Sequence, residues 1–350
     1  MSVECMKTEF GEIPTGEKVW LFTLKNESGM MASVTNYGAI LTQLHVPDKN
    51  GETENIVLGF AEFPPYLAKH PHFGGTIGRY ANRIAGGSFE LDGHTYTLVK
   101  NNGENCLHGG IKGFDKQLWQ VENVGNGVTL SYLSADMEEG FPGNLEVHLT
   151  YELTEENALR MEYRATTDKA TVVNFTNHTY FNLKGAGKGD VLSHELQLNA
   201  DEYTPFNEKQ IPTGEIASVE GTALDFRNSR LVGERIAEVD FGGYDHNFVL
   251  RGSNGKAKQD SGELSVAAVV SEPTSGRRLT VHTTEPGIQI YTGNNLNGSV
   301  TGLGGAYGKY SAICTETQHY PDSVHHPNFP KVILRPGEEY RQTTIFDFGK

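Results

Sequence analysis

Residues 145–166 read LEVHLTYELTEENALRMEYRAT, and apolar and polar side chains alternate through both halves of this stretch. Successive side chains of a β-strand point to opposite faces, so strict alternation over seven or more residues indicates a half-buried strand. The first run covers residues 145–153 and the second covers 159–165, with the polar residues 154–157 between them. The stretch is therefore predicted to form a β-hairpin.

Shorter alternating runs recur along the chain, at residues 40–46, 128–132, 264–270 and 279–283. Clusters of Gly, Asn and Asp separate them, and windows with the helical period are scarce among the 350 residues, which include 41 glycines. We predict an all-β protein whose antiparallel strands pack as a large β-sandwich. Because no proline-rich linker or fixed-period repeat divides the chain, a single domain spanning residues 1–350 is predicted.

The composition excludes several classes of function. With 44 acidic and 29 basic residues the formal charge is -15, which argues against binding to nucleic acid or to anionic membranes. The three cysteines, Cys5, Cys106 and Cys314, are widely spaced and are predicted to be free thiols in a reducing compartment. Residues 1–10 lack the apolar segment of a secretory signal, and no later stretch has the length of a membrane span. A cytoplasmic protein is therefore expected, and we also expect a monomer.

Residues 173–183 show a second informative alternation. Val173, Phe175, Phe181 and Leu183 fall on one face of a predicted strand, and Asn174, Thr176, His178, Tyr180 and Asn182 fall on the other. An unpaired buried polar group costs about 1–3 kcal/mol, so a face this polar would make a poor core. It is either a wall for a polar ligand or a solvated outer face.

Several common motifs are absent. The chain has no Walker P-loop, no G-x-G-x-x-G spacing in its glycine-rich segment 302–308, and no G-x-S-x-G nucleophile elbow. Two histidine pairs, His70 with His72 and His325 with His326, lie in proline-bounded loops without evident carboxylate or cysteine partners. They are predicted to be surface histidines, and no metal site is expected.

Seven short segments occur in an order that resembles the aldose 1-epimerase (galactose mutarotase) family over nearly the whole chain. These segments are GRYANRI (78–84), LHGGIKGFDK (107–116), EGFPG (139–143), NHTYFNL (177–183), DHNF (245–248), PGIQIYTGN (286–294) and ETQHYPD (316–322). The resemblance implies a large β-sandwich, a neutral aldohexose as the small-molecule partner, and acid–base chemistry that needs no cofactor.

The resemblance also implies the site residues. Glu316 matches the family's catalytic base and His178 its proton donor. Reference pKa values near 4.3 and 6.5 predict a mostly ionised Glu316 and a His178 that is protonated in part at pH 7. Substrate-binding positions are implied for Asn82, Arg83, His108, Tyr180, Asp245 and Gln289. An aromatic ring such as Phe181 or Tyr291 could pack on the sugar, although the alternation places Phe181 on the opposite face.

Three alternatives remain open from the sequence. A glycoside hydrolase could use Glu316 and Asp245 as paired carboxylates, a geometry that the sequence does not define. A non-catalytic sugar-binding module could be built on the same fold, because a fold does not fix an activity. An epimerase acting on phosphorylated hexoses would need cationic side chains in addition to Arg83.

Overall fold

A computed structural model describes residues 3–258 and 262–349 of the protein. Within these ranges there are 30 β-strands, one four-residue helix, α1 (Pro64–Leu67), and six three-residue 3₁₀ turns. The first half of the chain contains β1 (Glu4–Glu12), β2 (Lys18–Lys25), β3 (Met31–Thr35), β4 (Ile40–Pro47), β5 (Thr53–Asn55), β6 (Thr76–Ile77), β7 (Arg83–Ile84), β8 (Ser88–Leu91), β9 (His94–Thr97), β10 (Cys106–Leu107), β11 (Gln120–Val124), β12 (Gly127–Ser134), β13 (Leu145–Leu153), β14 (Ala158–Thr167) and β15 (Thr171–Val172). The second half contains β16 (Thr176–Asn177), β17 (Tyr180–Phe181), β18 (Glu195–Leu198), β19 (Ala200–Tyr203), β20 (Ala217–Ser218), β21 (Arg230–Leu231), β22 (Asp245–Leu250), β23 (Ser265–Ser271), β24 (Arg278–Thr283), β25 (Gly287–Tyr291), β26 (Thr301–Gly302), β27 (Gly305–Ala306), β28 (Ile313–Gln318), β29 (Ile333–Leu334) and β30 (Tyr340–Asp347).

Three sheets account for most of these strands. The largest has nine strands in the order β11-β12-β13-β14-β30-β24-β23-β18-β21, the second has six in the order β17-β28-β25-β22-β19-β20, and the third is the meander β1 to β5. The paired strands of these sheets run antiparallel, as predicted. None of the described helices is long and apolar enough to cross a membrane.

The main core lies between the nine-stranded sheet and the other two large sheets. The ring of Phe181 on β17 packs edge-on against Phe346 on β30, with centroids 4.9 Å apart. Between the same two sheets, the hydroxyl oxygens of Thr317 on β28 and Thr344 on β30 lie 2.6 Å apart. An edge-on aromatic pair adds about 0.5–1.5 kcal/mol to the stabilisation that comes from burial itself. These contacts confirm a β-sandwich.

The predicted hairpin is present as β13 and β14. Leu149 pairs with Tyr163 in the antiparallel register, and both side chains are buried in the main core. Their polar neighbours, such as His148 and Arg164, point to the other face of the sheet. Alternation therefore predicted both strands and the face that each buries.

Residues 173–183 depart from the predicted continuous strand. They form two short strands in different sheets, since β16 pairs with β6 and β17 pairs with β28. The chain is irregular at His178, whose amide donates to the carbonyl oxygen of Gly75 at 2.9 Å. The apolar row does lie in the main core, but the polar row is buried as well. Loops cover that row, so it is not a solvated outer face.

Candidate functional site

The six-stranded sheet has a second buried face, and that face carries the candidate site. Gln289 pairs with Glu316 across β25 and β28, while Cys314 pairs with Tyr291 on one side and with Tyr180 on the other. Directly paired residues of an antiparallel sheet share a face. The register therefore places these five side chains together, opposite the face that packs in the core.

A cavity of about 180 Å³ opens above this face. It is lined by Pro71, His72, Asn82, Arg83, Leu107, His108, His178, Tyr180, Asp245, Tyr291, Asn295 and Glu316. Seven of the eight residues implied by the family resemblance are in this set. Gln289 does not line the cavity and lies beneath it instead.

Glu316 and His178 face each other in the cavity. Glu316 Oε2 lies 3.7 Å from His178 Nε2, and both side chains are almost fully buried. This separation is longer than a hydrogen bond, and Glu316 Oε2 is buried without a partner among the described residues. His108 completes a group whose candidate ligand atoms lie within 4.8 Å of one another. Such an arrangement can surround a hydroxyl group and could also hold a cation.

The surroundings shift the pKa values of this pair away from the reference values. Burial raises the pKa of Glu316 well above its usual range, and the nearby Asp245 carboxylate raises it further. Burial lowers the pKa of His178 to about 3, and His72 contributes in the same direction. The expectation of an ionised Glu316 and a partly protonated His178 is therefore wrong, because taking both groups out of water favours their neutral forms.

His108 is fixed by its neighbour Asn82. The main-chain N–H of Asn82 donates to His108 Nδ1 at 3.2 Å, so the proton of the neutral imidazole belongs on Nε2. Burial also lowers the pKa of His108 well below its usual value. Both residues have left-handed backbone conformations, with φ of 61° at Asn82 and 52° at His108. Such unusual conformations often occur at functional sites. The Nε2–H group of His108 is therefore oriented to donate a hydrogen bond.

Asp245 and Arg83 are joined by a glutamine that the sequence did not single out. Arg83 Nη2 donates to Gln210 Oε1 at 2.8 Å, and Gln210 Nε2 donates to Asp245 Oδ2 at 2.9 Å. The second oxygen of Asp245 accepts from Gln289 Nε2 at 2.8 Å, and Arg83 Nε donates to Asn102. Gln289 thus supports Asp245 from below. The cationic and the anionic group are both held in place before any ligand arrives.

The prediction that the histidine pairs lack carboxylate partners is wrong. His72 Nδ1 lies 2.7 Å from Asp115 Oδ2, and His325 Nδ1 lies 2.7 Å from Asp322 Oδ1. Asp322 precedes His325 by three residues, so local spacing could have indicated that pair. Asp115 is 43 positions from His72, and no local signal joins them. His72 lines the cavity and is the main functional candidate that the sequence missed.

The aromatic and sulfur-bearing side chains are also placed. Tyr291 lines the cavity, whereas Phe181 packs in the core, as the alternation predicted. Cys314 lies beneath His178, with Sγ 3.7 Å from Nδ1. The three cysteines are free, as expected. The ring of Tyr180 stacks on that of His178, with the centroids 5.0 Å apart, and completes this wall of the cavity.

Comparison with known proteins identifies the relatives of the chain. Residues 21–347 match the family model described as aldose 1-epimerase. Galactose mutarotase from Sus scrofa is 47% identical over 349 residues, covering 99% of each chain. A solved galactose 1-epimerase from Lactobacillus acidophilus superposes with a TM-score of 0.84 at 31% identity, covering 99% of this chain and 98% of that one. An aldose epimerase homologue from C. elegans gives a TM-score of 0.85 at 28% identity over 99% and 98% of the two chains.

Proposed function

The chain belongs to the aldose 1-epimerase family, and we propose that it interconverts the α and β anomers of aldohexoses such as D-galactose and D-glucose. The observation that carries the proposal is the buried pair of Glu316 and His178, 3.7 Å apart and facing one cavity. The chain is 47% identical to a galactose mutarotase over nearly its full length, and this similarity favours an epimerase over a glycoside hydrolase or a non-catalytic sugar-binding module.

The reaction requires two proton transfers on a cyclic hemiacetal. Glu316 removes the proton from the C1 hydroxyl, and His178 gives a proton to the ring oxygen, so that the ring opens to the aldehyde. Rotation about the C1–C2 bond followed by reversal of both transfers closes the ring as the other anomer. Each positioned proton-transfer group typically contributes about 10²–10⁴-fold in rate.

The number of protons on the pair does not change during ring opening. One proton is present throughout, on His178 before the ring opens and on Glu316 afterwards. Burial raises the pKa of Glu316 and lowers that of His178, so the site favours the arrangement that follows ring opening. The same environment makes the carboxylate a stronger base and the imidazolium a stronger acid than either would be in water.

The remaining lining residues orient the sugar. Asp245 has lone pairs left after it accepts hydrogen bonds from Gln210 and Gln289, and it can accept further hydrogen bonds from sugar hydroxyls, whereas Arg83 can only donate. His108 Nε2–H is placed to donate near the reacting oxygens. Tyr291 offers an aromatic edge or face to the apolar side of the pyranose.

Polarimetry tests the proposal directly. Freshly dissolved α-D-galactose or α-D-glucose should relax to its equilibrium rotation faster when the protein is added. His178→Asn should abolish most of this acceleration, while His94→Asn, which alters an exposed histidine on β9, should not. A relaxation rate that the wild-type protein leaves unchanged for every aldose tested would overturn the proposed function.

We further propose that the protein acts as a cytoplasmic monomer of one domain, without nucleic-acid or membrane partners. The formal charge of -15 disfavours polyanionic partners, and the three free cysteines are typical of a reducing compartment. Light scattering coupled to size-exclusion chromatography tests it, because a monomer has a mass near 38.4 kDa.

A further inference from the structure

The loop around His72 holds the candidate acid, His178, through its main chain. The amide of Gly74 donates to the carbonyl oxygen of His178 at 3.0 Å, and the amide of His178 donates to the carbonyl oxygen of Gly75 at 2.9 Å. A turn within the loop is closed by the Gly75 amide and the His72 carbonyl oxygen, 3.0 Å apart. The position of His178 is therefore tied to the conformation of this loop.

His72 is itself anchored by a buried carboxylate. Its Nδ1 lies 2.7 Å from Asp115 Oδ2, and the side chain of Asp115 has no exposed surface. His72 and the nearby Lys116 hold the pKa of Asp115 well below its usual range, so this carboxylate is ionised and accepts a hydrogen bond from the Nδ1–H group of His72. Asp115 bonds to Nδ1, so the other ring nitrogen of His72, Nε2, is the one left without a bond to Asp115.

The loop is shaped so that it can reach Asp115. A Cβ atom on Gly75 would lie 2.8 Å from Asp115 Cβ, closer than real contacts allow, so glycine is needed at this position. His72 has a left-handed backbone with φ of 58°, a conformation that is unfavourable for a residue with a Cβ atom. The fold therefore maintains a strained backbone that brings His72 to Asp115.

The imidazole of His72 also packs against both histidines of the site. Its centroid lies 5.9 Å from that of His178 with the rings 24° from parallel, and 5.1 Å from that of His108 in an edge-on arrangement. Tyr180 stacks on His178 with centroids 5.0 Å apart. The ring of His178 thus packs against Tyr180 and His72, and also edge-on against His108 at 5.2 Å, and these contacts restrict its rotation.

We infer that His72, held by Asp115, is a positioning residue of the reaction, which keeps the imidazole of His178 aligned on the ring oxygen of the bound sugar. This inference rests on the proposed function. Alignment matters because proton transfer requires a hydrogen-bond separation of about 2.6–3.2 Å between the donor and the acceptor. Loss of His72 therefore affects the chemical step more than the binding of the sugar.

The test compares His72→Phe with wild type by polarimetry over a range of galactose concentrations. Phenylalanine keeps a planar ring at the position but cannot bond to Asp115. We expect kcat to fall about tenfold or more, a part of the about 10²–10⁴-fold contribution of one proton-transfer group, while KM stays close to wild type. His94→Phe, an exposed exchange of the same kind, should match wild type. Asp115→Asn should lower kcat in the same direction.

A double-mutant cycle separates positioning from a general structural role. If His72 acts through His178, then His72→Phe added to His178→Asn should cause no further loss of kcat. A further loss equal to that in the wild-type background would overturn the inference, and so would a raised KM with unchanged kcat. Circular dichroism melting identifies a variant that has lost its fold, in which case Asp115→Asn and His72→Asn provide the comparison. An inactive wild type would instead contradict the proposed function.

Discussion

Replacing Glu316 with glutamine should lower activity and raise stability at the same time. Glu316 is 2% exposed, and its Oε2 has no hydrogen-bond partner among the described residues, so the exchange removes no hydrogen bond from that oxygen. Glutamine cannot take the C1 hydroxyl proton. We expect kcat to fall by at least about 10²-fold, equivalent to about 3 kcal/mol in the activation barrier.

The stability change follows from the sign of the pKa shift. The pKa of Glu316 is raised on folding, so its favourable contribution is present below the unfolded pKa near 4.3 and is lost as pH rises through the folded pKa. Above the folded pKa, each unit of difference between the folded and unfolded pKa values lowers the free energy of unfolding by about 1.4 kcal/mol. Glutamine avoids this penalty, so Glu316→Gln should unfold at higher denaturant concentration than wild type at pH 7–8. The difference should shrink as the pH is lowered towards 4.

Polarimetry and urea denaturation of the same preparations provide the two measurements. Glu285→Gln is the matched control, because Glu285 is equally buried but lies 2.7 Å from His319 Nδ1 through its Oε2. That exchange should lower the free energy of unfolding by about 1–3 kcal/mol, since it weakens a buried pair. Near-wild-type turnover in Glu316→Gln would remove Glu316 from the mechanism. A loss of turnover accompanied by a loss of stability would refute the reasoning about its environment.

Three further predictions concern pH, sugar binding and the core. Because the active pair carries one proton and burial raises the pKa of Glu316, kcat/KM should stay level to a higher pH than the reference pKa values predict; those values would give a fall above about 6.5. Polarimetry on both sides of that pH distinguishes the two profiles. Gln210→Ala should raise KM for galactose more than it lowers kcat, because it releases both Arg83 and Asp245; equal KM values in a substrate titration would contradict this. Phe181→Ala should lower the free energy of unfolding by about 3–5 kcal/mol in urea denaturation, and a loss below about 1 kcal/mol would show that the core contact with Phe346 is weak.

Alternation in the sequence was sufficient to predict the hairpin of β13 and β14, because the pattern is local and each strand has one buried face. The same argument placed Phe181 in the core. The prediction of a single strand over residues 173–183 was wrong. The two short strands found there pair with β6, about 100 residues earlier, and with β28, about 130 residues later. Local periodicity does not contain the information that the strand is divided between two sheets.

The site was predictable to the extent that residues could be matched to family motifs. All but Gln289 of the implied residues line one cavity, and their catalytic and binding roles stay predictions. His72 was missed because Asp115, which gives it a role, is distant in the chain. The protonation of Glu316 and His178 was also mispredicted, since it depends on how completely the fold removes both groups from water.

The two buried faces of the six-stranded sheet have a practical consequence for protein engineering. The strand that presents Glu316 to the cavity also presents Thr317 to Thr344 in the core, so a change of strand position or length would disturb chemistry and packing together. Sugar preference should therefore be easier to alter through the loop that carries Gln210, which holds Arg83 and Asp245, than through the strands. A library confined to that loop leaves the shared backbone of core and catalyst intact.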